Sequence, residues 1–327
     1  MPDTKYFEVN HEQPEEEIIE IAAQLILARE LVAFPTETVY GLGAYAFSSP
    51  AVNKIFIAKQ RPPENPLLVH VSNLEQVENL VTNIPAIARK LMDKFWPGPL
   101  SIILPARREV PEVVRGGKSS VGLRMPSHPV ALALLNKTGP VAAPSANLSG
   151  HPSPVTADHV RADLDGRIAA VLDAGPTGGG VESTVLDLSN GVYRVLRRGG
   201  IGIEALQEVL QQDIEIADSK FHHFQTKVKI LVSSNQNQFS SLIDEYLSSG
   251  RIGIVYYNIS NTYNNNHIWR QYELDLKGQD SSLYTILRDA EQQNLKVLIF
   301  APLPEDLEGI GASIADRIYR AAAEAQG

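Results

Sequence analysis

The chain has 327 residues, 43% hydrophobic and 20% charged, which is ordinary for a soluble globular protein and long enough for two domains with separate cores. It contains no cysteine, which excludes a disulfide framework, a thiolate zinc site and a cysteine nucleophile. A formal charge of -9 argues against an extended basic surface for gripping nucleic acid, but leaves room for a local basic cleft.

Met1 to Glu20 is acidic, unlike a basic signal peptide, and no apolar run approaches the roughly 20 residues of a membrane span. A cytoplasmic protein with no membrane contact is therefore expected. Ile18, Ile21, Ala22, Leu25 and Ile26 fall at helical spacing and predict an amphipathic helix over Glu15 to Glu30. Leu31 to Phe34 follows as a short strand that Pro35 stops. Ser49 and Pro50 predict an N-cap followed by proline at the first helical position, with Val52, Ile55 and Phe56 as the buried stripe. Pro62 bars further helix, so Lys59 and Arg61 fall where that helix ends.

Leu67 to Val71, Leu100 to Leu104, Val121 to Arg124, Val141 to Ala143, Val171 to Asp173 and Thr184 to Leu188 are further strand candidates. Asn190-Gly191 between two apolar runs signals a hairpin. Together these predict an α/β fold with a mixed sheet and packed helices over residues 1–212. The pattern then breaks into a polar stretch with His222 and His223, read as a linker over 213–227. Over 228–327, strands at Val228 to Ser233, Ile252 to Tyr257 and Lys296 to Ala301 go with helices at Phe239 to Leu247, Leu283 to Gln292 and Gly311 to Ala323. That alternation predicts a smaller, doubly wound Rossmann-like domain. The Asn-rich stretch Asn258 to Asn266 is read as a mobile surface loop.

Familiar nucleotide signatures are incomplete. Gly175 to Gly180 has the spacing of a P-loop, but Val181 stands where the phosphate-binding lysine must be. Gly41-Leu42-Gly43 lacks the third glycine of a dinucleotide fingerprint, as does Gly309 to Gly311, so these glycines are read as serving turns. Lys59 and Arg61 alone would be a solvated helix end, with cations answering the C-terminal dipole. Their company changes the reading: Arg124 and Arg197-Arg198 also end apolar runs, where ligand sites of open α/β sheets form.

Ser145, Asn147, Ser149 and Ser153 lie in P-S-A-N-L-S-G-H-P-S, by composition a surface turn, although its hydroxyls and N–H groups also suit an anion-binding concavity. Such a set fits a nucleoside triphosphate or a plainer anion. His70 in L-L-V-H-V reads by default as a satisfied core histidine. No pair of histidines has metal-ligand spacing, so no metal is expected beyond magnesium carried with a nucleotide.

The segments P-T-E-T-V-Y-G-L-G (Pro35 to Gly43), A-K-Q-R-P-P-E-N-P-L, F-W-P-G-P-L, V-G-L-R-M-P, A-P-S-A-N-L-S-G and V-E-S-T-V-L-D closely resemble the YrdC-like family. Their order and spacing are similar to those of its long, two-domain threonylcarbamoyl-AMP synthases. Leu283 to Arg288 and Gly309 to Arg317 resemble the L-x-x-x-L-R and G-x-G-x-A-I-x-D-R segments of that family's second domain.

The resemblance implies a twisted open sheet whose concave face holds the site. It implies a nucleotidyltransferase that turns L-threonine, bicarbonate and ATP into threonylcarbamoyl-AMP and pyrophosphate, the first step in making threonylcarbamoyl-adenosine in tRNA. Carried over position by position, Thr38, His70, Arg124, Ala143 and Ser183 would hold threonine. Arg61, Asn65, Ser120, Ser145, Ser153 and Arg197 would hold ATP. Lys59 and Asn147 complete the K-x-R and S-x-N set, with Lys59 and Arg61 as the catalytic cations.

A downstream threonylcarbamoyltransferase and a weak contact with tRNA are implied as partners. The linker, commonly H-Y-A-P-K, here reads His223-Phe224-Gln225-Thr226-Lys227, so Phe224 stands near ATP without the tyrosine hydroxyl, in a segment expected to act as a lid. Two other readings compete. One is a carbamoyltransferase of the hydrogenase-maturation type, which resembles a longer chain with cysteine-rich zinc modules. The other is a non-catalytic RNA-binding module, which the overall acidity disfavours.

Overall fold

A computed structural model describes residues 3–217, 224, 226–257, 268–277 and 282–324. Two sheets organise them. The first has eleven strands: β1 (Lys5–Glu8), β2 (Val32–Phe34), β3 (Gly41–Tyr45), β4 (Leu68–His70), β5 (Leu100–Pro105), β6 (Ser120–Arg124), β7 (Val141–Ala142), β8 (Ala170–Asp173), β9 (Thr184–Asp187), β10 (Arg194–Arg197) and β11 (Glu215–Ile216). Their spatial order is β1-β8-β2-β3-β7-β4-β6-β5-β9-β10-β11. Parallel pairs such as β4 with β6 occur beside antiparallel pairs such as β5 with β6, so the sheet is mixed. The second sheet has β12 (Lys229–Val232), β13 (Ile252–Tyr256), β14 (Ile268–Glu273) and β15 (Val297–Phe300) in the order β12-β15-β13-β14, all parallel.

Period-two alternation along the strands separates two apolar layers. Ala33, Leu42, Val69, Ile102, Leu123 and Leu186 face one core, shared with Ile55 of the helix Ser49–Lys59 and Val160 of the helix Ala157–Leu164. Val32, Phe34 and Val141 face the other, shared with Ile19, Ala22 and Ile26 of the helix Glu16–Leu27 and Leu134 of the helix Pro129–Thr138. Those two helices cover only part of their side. Leu68, Ile103, Gly122 and Val185 alternate with residues of the first core and line an open cavity instead.

The second unit packs over this cavity. Its apolar core, around Phe239, Ile254, Leu287 and Ile299, also takes in Val39, Val155 and Val181 from loops of the first unit. Hence the helices Ser282–Gln292 and Gly309–Glu324 lie against the face that the first unit leaves uncovered.

Two local expectations shift. The cap of the helix beginning at Ser49 is Ser48, whose Oγ accepts from the Ala51 amide at 3.4 Å, so the cap lies one residue earlier than expected. β11 lies inside the polar stretch read as a linker and pairs in parallel with β10, so that stretch begins as sheet. His222, His223, Gln225 and the Asn258 to Asn266 segment lie outside the described residues.

Candidate active site

Three of the segments that line the cavity are shaped by local chemistry. In P-T-E-T-V-Y, the Thr36 hydroxyl donates to Val39 O (2.7 Å) and accepts from the Thr38 and Val39 amides, a side-chain turn in the loop that joins the antiparallel pair β2 and β3. That turn exposes Thr38 to the cavity. In K-Q-R, Gln60 adopts a left-handed backbone (φ 52°) and ends the helix, so that Lys59 and Arg61 both line the cavity. In P-S-A-N, Ala146 N donates to Tyr40 O (2.8 Å), and Gly41 bridges Ser145, which ties this loop to the first.

Parallel pairing sets His70 beside Arg124 at the C-terminal ends of β4 and β6. Arg124 Nη1 donates to Thr38 Oγ1 (3.0 Å) and Nη2 forms an ion pair with Glu37 at 2.7 Å. His70 is 4% exposed and its Nδ1 is buried with no hydrogen-bond partner among the described residues. Burial, and then the Arg124 charge, push its imidazole down to about 3, so the ring is neutral. Ser183 and Ala143 complete this end of the cavity. The Ser183 hydroxyl lies 2.8 Å from Ser101 Oγ, and its carbonyl and hydroxyl each accept from Arg197 at 3.1 Å.

The cations differ in their commitments. Lys59 is 1% exposed; its Nζ donates to the carbonyls of Ser145 (2.5 Å) and Asn147, and lies 3.5 Å from Asn147 Oδ1. Burial, then the Arg61 charge, hold its ammonium well below the usual lysine range. Arg61 donates to Pro66 O at 3.3 Å, its Nε is buried without a partner, and among the described residues it has no carboxylate partner. Burial brings both Arg61 and Arg197 down to about 10, still charged at neutral pH. Asn147 uses its amide Nδ2 inside the loop, on Leu148 O and His151 O, both at 2.8 Å.

One cavity of about 240 Å³ therefore gathers Thr38, Lys59, Arg61, His70, Arg124, Ala143, Ser145, Asn147, Ser153, Ser183, Arg197 and Phe224. It does not gather Asn65 and Ser120. Ser120 is at the opposite end of β6 from Arg124, opposite Pro105, and Asn65, next to the lining residue Pro66, has its Nδ2 buried with no hydrogen-bond partner among the described residues. Phe224 packs edge-on to Tyr284, with ring centroids 5.8 Å apart.

Sequence reasoning missed Glu182, Tyr284 and Arg317, which also line the cavity, and Glu37, which pairs with the lining residue Arg124. Glu37 and Glu182 sit in P-T-E-T and V-E-S-T, and Arg317 ends the G-x-G-x-A-I-x-D-R segment, but their pairing needs contacts across the fold. Among the described residues no group of three or more His, Asp and Glu is arranged to hold a metal ion, and no helix is long and apolar enough to cross a membrane.

Fold and cavity define an α/β protein with a cation-lined cavity over which a second α/β unit packs. The family model described as telomere recombination (Sua5, YciO, YrdC) matches residues 24–199, and that described as threonylcarbamoyl-AMP synthase, C-terminal domain, matches residues 201–323. The threonylcarbamoyl-AMP synthase of Bacillus subtilis is 40% identical over 321 residues, 92% of each chain. That of Pyrococcus abyssi is 36% identical over 95% of each. The crystal structure of Pyrococcus abyssi Sua5 complexed with L-threonine superposes with a TM-score of 0.89 at 36% identity over 98% of each chain. The chain belongs to the Sua5/YrdC family, with the two-unit architecture of its threonylcarbamoyl-AMP synthases.

Proposed function

We propose that this chain is a threonylcarbamoyl-AMP synthase, a nucleotidyltransferase that forms L-threonylcarbamoyladenylate and pyrophosphate from L-threonine, bicarbonate and ATP for the modification of tRNA. Its relatives carry that name across nearly their whole length. One observation of the site carries the reading. A single cavity holds a half-buried guanidinium, Arg61, whose Nε is buried and which has no carboxylate partner among the described residues, and a buried neutral imidazole, His70, whose Nδ1 has no hydrogen-bond partner among them. Unspent buried polar groups of both kinds call for a ligand that is anionic at one end and hydroxylated at the other.

In this reading Thr38, His70, Arg124, Ala143 and Ser183 hold threonine, its carboxylate competing with Glu37 for Arg124. Arg61, Arg197, Ser145 and Ser153 hold the ATP phosphates, Lys59 and Asn147 shape the loop that presents Ser145, and Phe224 offers an aromatic surface beside the nucleotide. Asn65 and Ser120 are carried by the resemblance alone. Magnesium arrives with ATP. Residues 1–212 form the catalytic domain, 213–227 a linker and lid, and 228–327 the second domain.

The threonine amine captures carbon dioxide derived from bicarbonate as a carbamate. A carbamate oxygen then attacks the α-phosphorus, the bond to the bridging oxygen of the β-phosphate breaks, and pyrophosphate leaves. No protein nucleophile is required. The residues align the reactants and neutralise phosphate charge, the main levers in phosphoryl-group chemistry. The adenylate would pass to a threonylcarbamoyltransferase acting on tRNA.

The test is pyrophosphate release from ATP and bicarbonate with and without L-threonine. Release that requires threonine supports the synthase. Release that requires carbamoyl phosphate instead would select a carbamoyltransferase, and no release under either condition a binding module.

A further inference from the structure

Glu182 is the point where the two units meet inside the cavity. Its Oε1 accepts from Ser153 Oγ (2.7 Å) and from Tyr284 OH (2.8 Å), and its Oε2 accepts from Arg317 Nε (3.3 Å) and Nη2 (3.2 Å). Ser153 and Glu182 belong to the first unit; Tyr284 and Arg317 come from the helices Ser282–Gln292 and Gly309–Glu324 of the second. The carboxylate precedes Ser183, on which Arg197 is anchored, so it sits among the groups assigned to the triphosphate.

A negative charge there opposes a polyanionic substrate. Burial alone would raise the Glu182 carboxyl, but the Arg317 and Arg197 charges and the Ser153 hydroxyl outweigh it and hold it at about 2, so it is ionised. Arg317 is 7% exposed and its donors are committed. Besides Glu182, Nη2 reaches Arg198 O (2.7 Å) and Nη1 pairs with Asp316 (3.2 Å). Arg197 is the other cation close enough for its charge to act on this carboxylate.

We infer that Arg317 is a positioning residue for the nucleotide site: the second unit supplies it to hold and neutralise Glu182, which leaves Arg197 free to meet the triphosphate. Without it, Glu182 takes Arg197 as its partner, and the site loses the cation that would have met the triphosphate. This gives the second unit a role in ATP binding, and it rests on the proposed reading of the cavity as an ATP site.

The test uses the full-length protein and the variants R317Q, E182Q and E182Q/R317Q. ATP binding is measured by titration calorimetry, and kcat and the KM for ATP and for threonine by pyrophosphate release. R317Q is expected to weaken ATP on the order of tenfold, mainly in Kd and KM for ATP. The double variant should recover to within about threefold of the parent, because the anion is gone with its partner. E182Q alone should bind ATP at least as tightly as the parent.

A merely structural role predicts no such rescue. Unchanged ATP affinity in R317Q, or a double variant as weak as R317Q, overturns the inference. Should R317Q fail the near-ultraviolet dichroism check for folding, E182Q decides: ATP binding weakened tenfold by E182Q also overturns it. Absence of threonine-dependent release from the parent protein would be a failure of the proposed activity alone, and the ATP titration would still decide the role of Arg317.

Discussion

Lys59 and Arg61 stand two residues apart and line one cavity, yet their nitrogens are spent differently. Lys59 Nζ is shared among the Ser145 and Asn147 carbonyls and the Asn147 amide oxygen, whereas Arg61 meets a single carbonyl, that of Pro66. The sequence alone makes them equivalent phosphate cations; the structure makes Lys59 a brace for the P-S-A-N loop. Lys59→Ala leaves buried carbonyls unpaired at about 1–3 kcal/mol per group, so it is expected to lower both the melting temperature and turnover. Arg61→Ala is expected to cut threonine-dependent pyrophosphate release on the order of a hundredfold or more with little change in melting. Parallel melting and release assays check this; an equal melting loss in both variants would contradict the division of roles.

The free Nδ1 of His70 bears on selectivity. A substrate hydroxyl that satisfies it would be missed in valine, leaving a buried polar atom unpaired. Serine should turn over more slowly than threonine, and valine on the order of a hundredfold more slowly still. Equal kcat/KM for valine and threonine would remove His70 from the threonine pocket.

At the scale of elements, the hairpin from β9 to β10 carries the site. Asn190-Gly191 marks its turn in the sequence, and β9 and β10 do pair antiparallel around it, with an irregularity between Val195 and Arg197. The chain leaving β10 then passes so close to β9 that a Cβ on Gly199 would lie 2.3 Å from Glu182 O, Ser183 C and Thr184 N. All three are backbone atoms of the segment holding Glu182 and Ser183, so none moves without the site moving. Gly199→Ala is expected to cost roughly 3 kcal/mol or more of stability and to reduce turnover, read by urea denaturation and pyrophosphate release. A variant as stable and active as the parent would show that this approach is looser. Gly199 carried no signal in the sequence, because the close approach involves residues 15 to 17 positions earlier that only strand pairing brings back.

For the whole molecule, buried and half-buried neutral histidines set the response to acid. His70 is held down at about 3, and His128 and His159 at about 4, chiefly by burial. The rings of His128 and His159 accept backbone N–H bonds from Val130 and Val155 through Nδ1, which protonation would abolish. The unfolded chain protonates its histidines near 6.5, so between that pH and the folded values it binds more protons than the native state. Stability therefore rises with pH across this window and is lost on acidification. His70 alone contributes a slope of up to about 1.4 kcal/mol per pH unit. Urea denaturation at pH 6.5, 5.5 and 4.5 should show this fall, and His70→Gln should flatten it; a parent protein equally stable at all three would contradict the assignment.

What the sequence determined by itself was whatever depends on neighbours along the chain. The strands Leu68–His70 and Thr184–Asp187, the helix ending at Lys59, the hairpin at Asn190-Gly191 and the motifs that carry Thr38, Arg61, Arg124 and Ser145 were all legible, because periodicity, proline stops and turn residues act over a few positions. The helix Pro129–Thr138 and the strand Gly41–Tyr45 were not, since their apolar pattern is set by what packs on them.

Only the tertiary structure decided which groups meet. Strand order set His70 beside Arg124 and left one side of the first sheet open over the cavity. Docking of the second unit joined Glu182 to Arg317 across 135 residues and Asp163 to Arg288 across 125. Such contacts cost chain entropy that is recovered only when both cores are formed, so their partners are chosen by packing and charge in the folded molecule, and no local pattern encodes them.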